Sequence, residues 1–269
     1  MAAGGAAAIA VAFVGLDTSS ADQHGARVIH FAVHSTRVHQ TLDEVAVAPG
    51  GTSGAGRPLL VFLHGAFSAR ENANLVPQMF AALAAQGARA PDIVFPDGGE
   101  DSYWHNRASG RWASYVLDEV IPQAVALLHA DPRRIAIGGL SMGGFGALEI
   151  ARLHAGRFCA VGADSAALWF AAGDTAPGAF DDAADFARHD VIGIARDANP
   201  YGAIPMWMDV GTQDPFRAAD TALAHELSAH GANLQFHVWP GGHESGYWAA
   251  HWASYLGFYA RALARCAPR

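Results

Sequence analysis

Gly139-Leu140-Ser141-Met142-Gly143 follows the short apolar run Ile135–Gly139 and opens a stretch, Gly143–His154, with helical composition. A run that short and that apolar reads as a strand buried inside a sheet. A serine between strand and helix needs neighbours without bulk, because the tight turn brings the two elements together. Gly139 and Gly143 meet that need, and Gly144 adds room. Composition alone makes this weak: with 30 Gly in 269 residues, a given Ser has roughly a 1% chance of Gly at both positions. The strand before and the helix after are what give the match its meaning, a serine hydroxyl presented at the top of a sheet.

Outward from this turn the chain alternates strand and helix. Upstream, Arg27–His34 and Leu42–Ala48 read as two antiparallel strands, and Leu59–Leu63 as a strand buried on both faces. A helix is expected over about residues 73–86, a strand at Ile93–Phe95 and a helix at Tyr115–Leu128. Downstream, strands are expected at Cys159–Gly162, Met206–Val210 and Leu234–Trp239, with helices at Arg217–His230 and from Trp248 to Arg265. This order predicts an α/β fold with a mainly parallel central sheet and helices on both faces. Ala167–Pro205 shows no strand pattern and is too short for a large lid; it reads as an excursion over the C-terminal edge of the sheet. Without an internal repeat or a composition break, residues 25–269 read as one domain.

Residues 1–24 read as an extension. Ala6–Leu16 is an apolar run of signal-peptide length followed by Ser19-Ser20-Ala21, but the first basic side chain is Arg27. A degenerate export signal and an extra strand are both open, and with them a cytoplasmic or an exported location. The run is too short to span a bilayer, and no other segment has a transmembrane pattern.

Composition narrows the function. Hydrophobic residues make up 51% and charged residues 16%, enough for a sizeable core. Net charge is -8 without a Lys/Arg run, which argues against a nucleic-acid partner. The 14 His are scattered, with no His-Glu-x-x-His pattern and no Cys pair at zinc spacing, so no metal is expected. Cys159 and Cys266 do not make a disulfide framework, and Cys159, inside an apolar stretch, reads as a small buried hydrophobe.

A serine hydroxyl is a poor nucleophile until a base takes its proton. After a strand–Ser–helix turn the expected chain order is serine, acid, histidine. His243 follows the last predicted strand in Pro240-Gly241-Gly242-His243, and Asp214 follows the preceding one in Gly211-Thr212-Gln213-Asp214. Asp209, inside that strand, and Glu244, beside the base, are weaker candidates. An oxyanion would need two backbone N–H donors. Met142, after the serine, supplies one, and Ala66, in the loop His64-Gly65-Ala66-Phe67, supplies the other.

Five pieces in order, Leu63-His64-Gly65, Pro96-Asp97-Gly98-Gly99, Gly139–Gly144, Gly211–Asp214 and His243-Glu244-Ser245-Gly246-Tyr247-Trp248, resemble the esterase D / antigen 85 group of α/β-hydrolases. That resemblance implies the α/β-hydrolase fold, a small-molecule ester as substrate, a Ser-Asp-His triad and no cofactor. The group includes mycolyltransferases, which carry Glu where Asp214 stands, and S-formylglutathione hydrolases, which usually have His where Leu140 stands. Aromatic residues gather around these motifs: Phe67, Tyr103, Trp104, Trp169, Phe170, Tyr247 and Trp248. Of these, Phe67, Trp104, Trp169 and Trp248 are the candidates for contact with substrate. The expected activity is hydrolysis of short-chain or aryl carboxylic esters. Acyl transfer to an alcohol and S-formylglutathione hydrolysis are the rivals within the fold, and an inactive binding protein is the rival outside it.

Overall fold

The computed structural model describes residues 12–16, 22–51, 55–66 and 74–266. A nine-stranded sheet runs through it. Its strands in chain order are β1 (Ala12–Leu16), β2 (Arg27–Ser35), β3 (Gln40–Ala48), β4 (Leu59–Leu63), β5 (Asp92–Phe95), β8 (Ile135–Gly139), β9 (Val161–Asp164), β10 (Met206–Gly211) and β11 (Leu234–Trp239). A separate two-residue ribbon, β6 (Asn106–Arg107) and β7 (Gly110–Arg111), lies between the fifth and sixth. The spatial order is β1-β2-β3-β5-β4-β8-β9-β10-β11. From β5 to β11 every pairing is parallel, while β1, β2 and β3 join antiparallel at one edge. Of the apolar run Ala6–Leu16, the part Ala12–Leu16 is β1, paired antiparallel with β2; the rest lies outside the described residues.

Helices cover both faces, which is why the central strands are apolar throughout rather than alternating. Leu59, Val61 and Leu63 of β4 point into one core, with Val120, Ala124, Leu148, Leu223 and Leu227. These belong to the helical stretch that ends in α3 (Ile121–Leu128), to α4 (Met142–Leu153) and to α7 (Arg217–Ala229). Leu60 and Phe62 point into the other, against α1 (Pro77–Ala85) and α8 (Ser245–Arg265), meeting Phe80, Leu83, Trp252, Tyr255 and Tyr259. Burying each such side chain is worth about 1.5–3 kcal/mol, so this one strand anchors both layers.

Local chemistry sets several boundaries. Pro77 opens α1 at a position where its missing N–H costs nothing. Before α3 the helix begins as α2 (Trp112–Tyr115) and widens into a π turn over Val116–Val120, next to Pro122, which cannot donate to the turn before it. The strand expected at Cys159–Gly162 forms two residues later, at Val161–Asp164. Ala167–Pro205 contains two seven-residue helices, α5 (Ala183–His189) and α6 (Val191–Asp197), capped by the side chains of Asp182 and Asp190.

Cys159 is not a buried free hydrophobe. It is half-buried and bonded to Cys266, 107 residues later, with the Cα atoms 5.6 Å apart. The bond ties the chain entering β9 to the end of α8.

Candidate active site

Ser141 stands between β8 and α4 with φ 55° and ψ −119°, a conformation that ordinary side chains rarely adopt. The surroundings hold it there. Its N–H donates to the Asp164 carbonyl at 3.0 Å, and its carbonyl accepts from Phe145 N–H at 3.1 Å and Ala167 N–H at 2.9 Å. The flanking glycines are required by contact. A Cβ on Gly143 would lie 2.1 Å from the Leu63 carbonyl oxygen, and one on Gly139 would lie 2.6 Å from Gly143.

Asp214 ends the turn after β10. Its Oδ1 accepts Phe216 N–H at 2.8 Å, closing its own turn, and its Oδ2 accepts from His243 Nδ1 at 2.9 Å. One carboxylate oxygen thus serves the turn and the other the imidazole. His243 Nε2 lies 2.8 Å from Ser141 Oγ. The loops that carry Asp214 and His243 are bonded to each other: Thr212 N–H donates to the Trp239 carbonyl and Gln213 N–H to that of Gly241, both at 2.8 Å. The three side chains, separated by 102 and 29 residues, form one hydrogen-bonded line. Burial pulls the Asp214 carboxyl upward, but the hydrogen bonds from His243 and Phe216 outweigh it and hold it below the usual range. Phe216 and Trp248 meet the His243 ring edge-on, with centroids 5.1 and 4.9 Å away.

The two weaker acid candidates sit elsewhere. Asp209 is fully buried and accepts from Trp207 Nε1 at 2.8 Å, Tyr247 Oη at 2.7 Å and Tyr255 Oη at 3.3 Å. Glu244 is exposed at the start of α8.

Met142 is the first residue of α4, where an N–H has no partner within the helix. Ala66, half-buried, lies three residues past the end of β4. Its loop lies against the serine: a Cβ on Gly65 would be 3.2 Å from Ser141 Cβ. His64, whose role the sequence motif left unassigned, organises this loop. Gly98 N–H donates to its Nε2 at 2.9 Å, so the proton sits on Nδ1, which donates to the Gly65 carbonyl at 2.8 Å. In a trans peptide the carbonyl and the next N–H point in opposite directions. With the Gly65 carbonyl held toward His64, the Ala66 N–H is turned away from it.

The aromatic candidates divide. Trp104 does not line the site: it is fully buried and donates through Nε1 to the His64 carbonyl at 3.2 Å, bracing the loop from below. A large side chain following a Gly-rich turn gives no sign in sequence of which way it points. Trp169 is half-buried and packs on Phe216 and Tyr103, with centroids 5.5 and 5.6 Å apart. Trp248 is half-buried beside His243. Phe67 lies outside the described residues. Among the described residues, no helix is long and apolar enough to cross a membrane.

The sheet order and the strained serine at its centre, with a histidine and a carboxylate in line, define an α/β-hydrolase-fold serine hydrolase of the esterase type. Residues 40–259 match the sequence profile of the Esterase family, described as "Putative esterase", and the chain belongs to that family. In sequence it is similar to the MPT51 antigen of Mycobacterium leprae, 31% identical over 107 residues. That match spans 39% of this chain and 36% of that protein. Among solved structures it is similar to a ferulic acid esterase, with a TM-score of 0.77, 20% identity and coverage of 88% of this chain and 99% of that one. It is also similar to an S-formylglutathione hydrolase from Agrobacterium tumefaciens (TM-score 0.76, 17% identity, 93% and 99% coverage). The third, MPT51 of Mycobacterium tuberculosis, has a TM-score of 0.66, 19% identity and 86% and 97% coverage.

Proposed function

We propose that the chain hydrolyses short-chain or aryl carboxylic esters through an acyl-enzyme on Ser141. The observation that carries this reading is the position of His243, 2.8 Å from Ser141 Oγ and 2.9 Å from Asp214 Oδ2. Ser141 Oγ attacks the ester carbonyl while its proton passes to His243 Nε2. The carbonyl oxygen takes the negative charge, and the N–H groups of Ala66 and Met142 receive it. His243 returns the proton to the departing alcohol, then takes one from water as the water oxygen attacks the acyl carbon; the bond to Ser141 Oγ breaks, Oγ takes the proton back from His243, and the acid is freed. Asp214 keeps the imidazole in the required tautomer and stabilises its charged form. Trp169 and Trp248 would flank the acyl or alcohol group. The motif resemblance to the group that includes mycolyltransferases favours one second reading, transfer of the acyl group to an acceptor alcohol, which differs only in what attacks the acyl-enzyme.

The test is Ser141→Ala, assayed with p-nitrophenyl esters and a fluorophosphonate probe. Activity is expected to fall by about 10⁴-fold or more, and labelling to disappear, in a folded variant. A folded variant with more than a tenth of the wild-type turnover removes Ser141 from the reaction. Methyl ferulate, S-formylglutathione and an added alcohol acceptor, run with wild type, separate the subclasses by rate and by acyl partition.

A further inference from the structure

Away from the triad, the loop after β5 meets the excursion between β9 and β10 at three ligand-type side chains: His105, Asp185 and His189. Asp185 and His189 are four residues apart on α5, so they share a face. His105 and Asp185 are almost completely buried, and the His189 side chain is 12% exposed. One donor atom from each lies within 4.8 Å of the others.

The hydrogen bonding of these histidines is incomplete as neutral rings. His189 Nδ1 lies 2.6 Å from Glu149 Oε1, and a carboxylate only accepts, so the proton is on Nδ1. Its other nitrogen, Nε2, faces Asp185 Oδ1 at 3.4 Å. His105 has the same arrangement: Nδ1 faces the Tyr103 carbonyl at 3.5 Å, and Nε2 lies 3.0 Å from Asp185 Oδ2. All four ring nitrogens therefore face acceptors. A neutral imidazole has one proton and leaves one lone pair against an acceptor. Doubly protonating both rings would put two positive charges 4.6 Å apart, centroid to centroid. A cation between the two Nε2 atoms and the Asp185 carboxylate removes the conflict at a stroke.

The geometry points to a Zn²⁺ site formed by His105 Nε2, His189 Nε2 and the Asp185 carboxylate, with water in the fourth position, that ties α5 to the loop carrying Tyr103. Ligand atoms of tetrahedral Zn²⁺ with bonds of about 2.0–2.2 Å lie about 3.3–3.5 Å apart, and each imidazole meets its own oxygen of Asp185 near that spacing, His105 Nε2 at 3.0 Å from Oδ2 and His189 Nε2 at 3.4 Å from Oδ1. The outer contacts also fit. Zinc histidines characteristically donate their second N–H to a carboxylate or a backbone carbonyl, the places Glu149 and Tyr103 occupy. Glu149 is itself held by Arg152 through two bonds of 2.7 Å. Arg188 competes, with Nη2 2.9 Å from Asp185 Oδ1, but its side chain is 63% exposed and free to swing into solvent.

The test is calorimetric titration of chelator-stripped protein with ZnCl₂, with elemental analysis for stoichiometry and Co²⁺ absorption as a reporter of tetrahedral ligation. One equivalent is expected to bind wild type and equally well His243→Ala, which removes the imidazole hydrogen-bonded to Ser141. His105→Asn and His189→Ala are expected to lose it, and Glu149→Gln to bind about 10–100-fold more weakly. Arg188→Ala, a surface change that leaves the ligands in place, is expected to bind more tightly. Stripped wild type that takes up no Zn²⁺, or uptake that survives His105→Asn and His189→Ala, overturns the assignment. If either ligand variant fails to fold, unchanged or weakened affinity in Arg188→Ala overturns it.

Discussion

His64 donates through Nδ1 to the carbonyl of Gly65, the residue that follows it, at 2.8 Å. That bond fixes one peptide plane and hence the direction of the Ala66 N–H. Replacing His64 with Ala is expected to lower kcat by about 10²-fold, the usual cost of losing one oxyanion donor, with a smaller effect on KM. Steady-state kinetics on a variant with wild-type circular dichroism measures this. A folded variant with unchanged kcat would show that the loop keeps its orientation without the imidazole.

Asp214→Asn is expected to reduce turnover far more than Asp209→Asn or Glu244→Gln. Only Asp214 touches the imidazole, and its carboxyl, held below the usual range, stays ionised throughout the neutral region. An acid limb in the kcat/KM profile between pH 5 and 8 is therefore not the titration of Asp214. A larger kinetic loss at Asp209 would transfer the orienting role to it.

Asp220 tests the electrostatics beneath the site. Burial first, then the charge of Asp214, pushes its carboxyl well above the usual range, and it accepts Ala166 N–H at 3.2 Å. In the unfolded chain this group loses its proton near about pH 3.9. Above that pH the folded state holds a proton that the unfolded state has released, so stability falls as pH rises, by about 1.4 kcal/mol per unit, until the folded group itself titrates. Asp220→Asn should therefore be more stable than wild type at pH 7, with the difference narrowing as pH falls toward 4. Urea midpoints across that range give the answer, and a difference that does not change with pH contradicts it.

The Cys159–Cys266 bond closes a loop of 107 residues. In the chain-entropy account a loop near that length is worth about 4–5 kcal/mol. Reduction, or Cys159→Ser, should lower Tm substantially. It should leave kcat at 25 °C unchanged, because the bond lies at the end of the sheet where β9 begins and Ser141 at the end where β8 stops. Loss of activity in a folded reduced protein would contradict this.

The excursion between β9 and β10 contributes one three-residue 3-10 turn, Ala172–Asp174, and two seven-residue helices. A site without a large lid buries few methylenes, each worth about 0.8 kcal/mol, so rates should peak for acyl groups of about C2 to C6. A p-nitrophenyl ester series decides it. A maximum at C12, or a jump in rate above the micelle threshold, would point to a deeper site.

The features legible in the sequence are those that local physics controls. A strand buried on both faces has to be apolar at successive positions, so β4 and β8 declare themselves in Leu59–Leu63 and Ile135–Gly139. A strand-to-helix turn this tight has to place glycine where a Cβ would strike backbone, so Gly139 and Gly143 mark Ser141. His243 and Asp214 could be named because each follows a readable strand. The tertiary structure alone decided what depends on direction and on distant neighbours. Nothing near Trp104 in the chain says that its ring turns inward beneath His64. Nothing near Cys159 names a partner 107 residues away, and the 80-residue separation of His105 and Asp185 hides a cluster that sequence spacing presents as scattered histidines. Such contacts form when whole layers pack, and packing is set by the shape of the assembled core rather than by the pattern of any one segment.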